Sequence, residues 1–454
     1  MSALRLSNYH VATPPFLDIA KNQVRRVVFA TRTAEARVIP EEVWTALTDG
    51  AIDVLPLDTL QDFVDIELFV PSSEDELSTI LKRNNAAAAD DTVLYTVIQP
   101  TAACQLGCGY CGQLHSPNAL DAHNQSLLIE RVARKLQAGS FQTLHVCWFG
   151  AEPIAGKQVI RALTPRLISV AAEHGCDYEA RIVTNGLALT DQIAEELVRE
   201  HKVGFIEVTL DGSASFHDAR RHTKAGHPTF ARIFKNVVSL ARRVDLDVSL
   251  RIRCNVDRRN FEGVPPLLHM LEEAGIQERI SFYVAPIHSW GNDAHKESLE
   301  LNEFAERELD WYVEASKLGF AVPLLPGVNP VVCMAIKPSA ELIDAYGNVF
   351  NCTEVSYVPL YGTPNRFALG TLEKGTGADA WHVLGDFNTK IARQEYPCAT
   401  CRMLPVCGGS CPKQWLEGHI PCPSTKLNIE GRLLLAYAKQ RIDSEAGDLT
   451  RRLI

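Results

Sequence analysis

An α/β protein is expected here: a parallel (β/α)6 sheet curled into a full or partial barrel, between a small winged-helix-like N-terminal module and a cysteine-rich C-terminal region. Three observations predict it. Between Thr92 and Leu325, strand-like apolar runs alternate six times with helix-length amphipathic stretches, the pattern of right-handed parallel crossovers. Before them, residues 1–92 carry short strands and helices. After them, turn-rich sequence holds seven of the 13 cysteines, Cys333, Cys352, Cys398, Cys401, Cys407, Cys411 and Cys422. The chain is therefore divided at 1–92, 93–325 and 326–454.

In chain order, strands are expected at 25–31 and 36–39, helices from Pro40 and Leu57, and a strand at 66–70. A further helix opens at Ser72-Ser73-Glu74-Asp75, an N-cap sequence with acidic character. The four alanines after Asn85 mark a helix end or a linker. The barrel strands are expected at 93–99, 143–149, 178–184, 204–210, 247–255 and 280–285, with helices such as 127–137, 191–201 and 230–243 between them. In such folds the chemistry sits just beyond the C-terminal strand ends. A last amphipathic helix, 430–444, is expected to pack back on the body.

Composition narrows the function. A chain of 454 residues exceeds one ordinary core. Its 45 Lys and Arg against 55 Asp and Glu leave a formal charge of −10, which argues against a nucleic-acid binder. No apolar run approaches the roughly 20 residues of a membrane span, and the opening MSALRLSNYH lacks a signal-peptide pattern. A cytoplasmic location with no membrane partner is expected. There, 13 cysteines read as metal or redox chemistry rather than disulfides.

Directly after the first barrel strand, Cys104, Cys108 and Cys111 form a C-x3-C-x2-C loop. Three closely spaced thiolates can hold three corners of a 4Fe-4S cube and leave the fourth iron open to a ligand. A structural zinc loop would need a fourth ligand, and no nearby cysteine supplies one. Later strand ends carry Gly150-Ala151-Glu152-Pro153, Thr184-Asn185-Gly186, Thr209-Leu210-Asp211-Gly212, and Arg253 with Asn255. Each is an ordinary turn or strand end by itself; together they occupy successive strand ends.

This combination resembles the radical S-adenosylmethionine (SAM) enzymes, and the resemblance covers the barrel as well as the motif. It implies SAM held on the open iron, with Gly150, Ala151 and Glu152 at its amino group and Glu152 pairing with the ammonium. Asn185, Thr209, Arg253 and Asn255 would meet ribose or carboxylate, and Tyr110 would lie near the adenine. Ala151 stands where the family usually has a second glycine. The implied chemistry is reductive SAM cleavage to a 5′-deoxyadenosyl radical, which removes a substrate hydrogen.

The C-terminal cysteines read C-x13-G-x4-C, then C-x2-C-x5-C-x3-C, then C. A zinc ribbon at Cys398, Cys401, Cys407 and Cys411 is the bland alternative. The whole pattern resembles the SPASM extension of radical SAM enzymes. The resemblance implies one auxiliary 4Fe-4S cluster on Cys398, Cys401, Cys407 and Cys422 and another on Cys333, Cys352 and Cys411, making three clusters with the SAM-binding one. The second group lacks a fourth cysteine. Cys147 and Cys254, in predicted strands, read as packing thiols.

SPASM enzymes mostly modify peptides or proteins. Sulfatase maturases carry an acid beside an auxiliary-cluster cysteine as general base. Here that place is Thr353, followed by Glu354, which becomes the candidate catalytic residue. The other subclass matures ribosomal precursor peptides, and the N-terminal module resembles the recognition element such enzymes use to hold a leader as an added strand. DNA binding by this module is disfavoured, since the helix near Pro40 has no basic face. The expected function is oxidative cross-linking of a precursor peptide, with a flavodoxin- or ferredoxin-type reductant. Formylglycine formation, or electron transfer without SAM cleavage, are the alternatives.

Overall fold

The computed structural model describes residues 3–51, 55–377 and 379–452, with 443–452 as backbone alone. The N-terminal part has strands β1 (Leu4–Leu6), β2 (His10–Ala12), β3 (Phe16–Asp18), β4 (Gln23–Ala30), β5 (Glu35–Pro40) and β6 (Phe69–Pro71), with helices α1 (Glu41–Thr48), α2 (Leu57–Asp65) and α3 (Glu76–Ala88). β4 is the centre of a small antiparallel sheet, pairing with β2, β3 and β5, while β1 pairs with β6. The first three strands were not expected, because three residues are too few to show alternation. The Asp75 carboxylate accepts a hydrogen bond from Ser78 N at 3.1 Å, capping α3. That helix continues through the alanines to Ala88.

This N-terminal part shares its core with the C-terminal region. Val11, Val27 and Phe29 pack with Met403, Val406, Ile429 and Leu433, and Tyr9, Ile80 and Leu81 pack with Phe387, Ile391 and Trp415. Each large apolar side chain so buried contributes roughly 1.5–3 kcal/mol. The closing helix Thr425–Arg452 starts earlier than expected, and its Tyr437 hydroxyl donates to Asp18 Oδ2 at 2.7 Å.

Six parallel strands follow, β7 (Val93–Ile98), β8 (Thr143–Trp148), β9 (Asp177–Thr184), β10 (Val203–Thr209), β11 (Ser249–Val256) and β12 (Ile280–Pro286), each paired with the next. Every one matches an expected strand to within two residues at either end. Helices α4 (Ala122–Ala138), α5 (Lys157–Glu173), α6 (Asp191–Arg199), α7 (Ala214–Asp218), α8 (Phe230–Arg242), α9 (Val264–Glu273) and α10 (Leu301–Lys317) complete the layer. The main core joins sheet residues such as Leu144, Ile182 and Ile206 to Leu163, Val237 and Leu267 of the helices.

The sheet stays open, so the barrel is partial. Among the described residues β12 pairs only with β11, whereas β7 gains a parallel neighbour, β13 (Glu341–Ile343). Antiparallel β14 (Asn348–Phe350), β15 (Gly370–Thr371) and β16 (Gly375–Thr376) extend it further. One ten-stranded sheet thus runs across the expected boundary at 325/326. The β13–β14 turn depends on Gly347, the glycine of the C-x13-G-x4-C pattern. Its φ is +79°, and a Cβ there would lie 2.4 Å from Asn124 Oδ1. Buried Glu341 fastens β13 to α4, pairing with Arg131 at 2.9 Å and Lys135 at 2.7 Å. No helix among the described residues is long and apolar enough to cross a membrane.

Candidate cofactor and iron-sulfur sites

The loop after β7 is held at both ends. Ala102 N donates to Asn118 O (2.8 Å) and Ser116 N to Ala102 O (3.0 Å). A second set of straps ties it to the segment after α7: Gly107 N to His222 O (2.9 Å), Gly109 N to Arg220 O (3.1 Å) and Lys224 N to Gln105 O (3.0 Å). Cys104, Cys108 and Cys111 line one cavity at the C-terminal ends of the barrel strands. Burial pushes the Cys104 thiol up to about 12 and Cys111 to about 11. Such thiols ionise only beside concentrated positive charge, as metal ligation provides.

Gly150, Ala151, Asn185, Thr209, Arg253 and Asn255 line the same cavity, as does Tyr110. The Tyr110 hydroxyl is committed to the protein, however. It donates to Asp211 Oδ2 (2.6 Å) and accepts from Arg221 Nη1 (2.5 Å) and Asn255 Nδ2 (3.2 Å). Arg253 Nε donates to Asn255 Oδ1 at 2.7 Å. Gly150 is required by a φ of +119° and by Gln99 Cγ, 2.9 Å from where its Cβ would sit. Ala151 is accommodated in the lining.

Glu152 departs from its expected place. It lies outside the cavity lining and is 1% exposed. Its carboxylate accepts from Ile154 N (3.0 Å), Thr184 Oγ1 (2.7 Å) and Asn185 N (2.7 Å), against burial that raises its pKa. It ties the end of β8 to the end of β9 and so sets the position of Asn185. A carboxylate this close to several backbone N–H groups finds them before it finds solvent.

Glu354 does reach the cavity. The sheet extension brings it there: β14 ends at Phe350, and the chain turns back across the mouth. Leu114 N bonds Tyr357 O at 2.7 Å, and Gln99 Nε2 bonds Ser356 Oγ at 2.8 Å. Glu354 Oε2 lies 3.4 Å from His288 Nε2, and its carbonyl accepts from Trp290 Nε1 at 2.8 Å. Burial works against its charge, but the His288 contact, with Arg253 and Lys413 near, holds its carboxyl below the ordinary value.

A second cavity is lined by Cys333, Cys352 and Cys411, and Glu354 lines this one too. A third, smaller one is lined by Cys398, Cys401, Cys407 and Cys422. The chain thus gathers around two cavities the cysteines that the resemblance assigns to two groups. Cys407 also lines the second cavity. Among the described residues, the only three His, Cys, Asp or Glu side chains with ligand atoms all within 4.8 Å are Glu196, Glu200 and His201. Four thiolates on one tetrahedral zinc would stand about 3.8 Å apart, given a Zn–S bond of about 2.3 Å. No cysteine group among the described residues has three ligand atoms that close. Cys147, Cys176 and Cys254 are buried in hydrophobic clusters and line none of these cavities.

Arg221, His288 and Trp290 line the first cavity and were missed in the sequence. His288 lies just past the sixth strand, and inspecting that strand end as the other five were would have found it. Arg221 had no such signal, since it enters from a loop that follows a short helix. It is 6% exposed, its Nε has no hydrogen-bond partner, and its nearest carboxylate, Asp211, stands 3.9 Å away. A buried cation so incompletely matched fits an anionic group such as a thiolate-bound cluster.

Residues 98–255 match the family model of the Radical SAM superfamily. The chain is 23% identical over 355 residues to a serine-type anaerobic sulfatase-maturating enzyme of Bacteroides thetaiotaomicron, covering 70% of this chain and 83% of that one. The structure of native anSMEcpe with bound AdoMet aligns at a TM-score of 0.56 and 16% identity over 79% of this chain and 100% of that one. That of anSMEcpe with bound AdoMet and Cp18Cys peptide gives 0.55 and 17%, over 79% and 99%. These likenesses agree on the fold. Residues 98–255 carry a radical SAM domain on a partial barrel, and a cysteine-rich region follows it.

Proposed function

We propose that this radical SAM maturase oxidatively cross-links a ribosomally made precursor peptide, using three 4Fe-4S clusters on the three cysteine groups. The observation that carries the reading is the shared wall. Glu354 borders both the cavity of Cys104, Cys108 and Cys111 and the cavity of Cys333, Cys352 and Cys411. Bound in the first cavity, SAM would supply radical chemistry for removing a hydrogen atom from the substrate. The chain's own residues hold the site. Asn185, Thr209, Arg253 and Asn255 offer polar groups to the cofactor, and Phe149, Ile287 and Trp290 exclude water. Glu354 would accept the proton lost as the substrate is oxidised, with His288 against it and the residues that would hold the second cluster, an electron acceptor, behind it.

A leader-binding role for the N-terminal sheet is supported by its edge. Among the described residues β3 pairs only with β4, and nearby Leu17 and Ile19 are 59% and 86% exposed. An extended peptide could add there through backbone hydrogen bonds.

Formylglycine formation is the second reading, favoured by the sulfatase-maturating relative and by a Glu354 carboxylate that reaches the cavity. The absence of an acid next to Cys352 therefore does not separate the two. One experiment does. The reconstituted chain is incubated anaerobically with SAM and dithionite, once with a short precursor encoded beside its gene and once with a sulfatase-derived peptide containing Ser or Cys. Cross-linking removes two hydrogens per link without creating a carbonyl. Serine oxidation also removes two hydrogens but leaves an aldehyde that a hydrazine reagent traps. Aldehyde formation on the sulfatase peptide, with the precursor untouched, sinks the cross-linking reading. Absence of 5′-deoxyadenosine in every reaction sinks both.

A further inference from the structure

We propose that Arg221 is a positioning residue for the iron site on Cys104, Cys108 and Cys111, a fixed buried cation that makes this site easier to reduce. The proposal rests on the reading that this loop carries a 4Fe-4S cluster.

Arg221 travels with the cysteine loop, because His222 O, Arg220 O and Lys224 N on its own segment bond Gly107, Gly109 and Gln105. Its guanidinium lines the same cavity as all three thiols. Nη1 donates to the Tyr110 hydroxyl, one residue from Cys111 in sequence. Its counter-charges stand off: buried Glu152 acts on it without pairing with it, and no carboxylate among the described residues lies closer than Asp211. Asp211 is 3.9 Å away, and its two oxygens already accept from Asn255 N (2.9 Å) and the Tyr110 hydroxyl (2.6 Å). Arg220 points elsewhere, paired with Asp257 at 2.5 Å and stacked over the Tyr110 ring. Buried His217, beside Asp211, is pushed down to about 4 by burial and by Arg221 itself, so it adds no charge near neutrality. Arg253, the other guanidinium of the cavity, is engaged with Asn255.

Three thiolates on a 4Fe-4S core of charge 2+ leave the unit net negative. Adding one electron from a low-potential donor, here Ti(III) citrate, makes it more so while no bond is made or broken. A fixed positive charge in a low-dielectric site favours the more negative state.

The test is a redox titration of the full-length reconstituted protein with Ti(III) citrate, followed by electron paramagnetic resonance. The signal of this site is identified by its loss when Cys104, Cys108 and Cys111 are all Ala. In Arg221→Gln the oxidised-to-reduced ratio at a fixed potential is expected to rise about tenfold, equal to a fall of about 59 mV for a one-electron couple. Iron content and the other signals should not change. Arg221→Lys, which keeps the charge, should restore most of the potential, and Asp211→Asn should move it the opposite way. An unchanged potential in Arg221→Gln with full iron content overturns the proposal. So does equal loss of iron from the Gln and Lys variants, which would make Arg221 a structural prop. If the wild-type protein has no reducible signal that depends on these three cysteines, the cluster reading itself fails.

Discussion

The two cysteine regions reach similar ends by different routes. Cys104, Cys108 and Cys111 lie within eight consecutive residues of one loop, placed by one strand end. The auxiliary groups are gathered from residues 333–422, and each group draws on more than one segment. The first site is a loop laid over a finished barrel. The second is part of the core, since Cys398 packs with Tyr9, Ile80 and Leu81 of the N-terminal part, and Cys352 with Val97, Leu342 and Phe350. A site of the first kind can lose its metal and leave the fold standing. A site of the second kind couples metal to folding.

Four predictions sharpen or break this comparison, the largest effect first. Replacing Cys104, Cys108 and Cys111 together by Ala should abolish 5′-deoxyadenosine formation and remove about 4 of about 12 irons, with little change in thermal stability; surviving SAM cleavage would break the site assignment. Replacing Cys398 and Cys401 by Ala should remove about 4 irons as well and stop product formation, yet leave some unproductive SAM cleavage. It should also lower the melting temperature clearly more than the first triple variant. Equal melting temperatures for the two variants would refute the coupling argument. Asn185→Ala and Thr209→Ala should each weaken SAM binding only a few-fold, since a neutral hydrogen bond contributes about 0.5–1.5 kcal/mol net, a range that equilibrium dialysis resolves. The smallest effect is expected for Cys254→Ala, a fully buried thiol in the main core. Iron content and SAM cleavage should be unchanged, with a stability loss of about 1 kcal/mol in denaturant titration.

The same contrast changes how the N-terminal part can be tested. Removing residues 1–90 would uncover Met403, Val406, Ile391 and Trp415, so a loss of peptide turnover would not report leader binding. Leu17→Asp with Ile19→Asp, at exposed positions beside the free edge of β3, leaves that core intact. It should slow turnover of full-length precursor while sparing SAM cleavage without peptide, as product and 5′-deoxyadenosine yields would show.

What could be read directly in the sequence was whatever local periodicity and short spacing encode. The six barrel strands are apolar runs long enough to show their pattern, and the three cysteines of the first loop sit too close together to end up apart. The strand-end rule located the site in general, and the resemblance singled out Gly150, Asn185, Thr209, Arg253 and Asn255, which line one cavity. The grouping of the C-terminal cysteines came from resemblance, because no local pattern says which of seven thiols will meet. Tertiary structure decided the rest. β1 to β3 are too short to alternate. Glu152 was captured by the N–H groups of its neighbours, a competition that no spacing reveals. Glu354 entered the first cavity because β13 joins β7 and the Gly347 turn sends the chain back across the mouth. Arg221 became a buried cation beside three thiols because backbone bonds tie its loop to theirs. Sequence determines what a segment can pair with nearby; which distant segment arrives is settled by burial and hydrogen bonding summed over the whole chain.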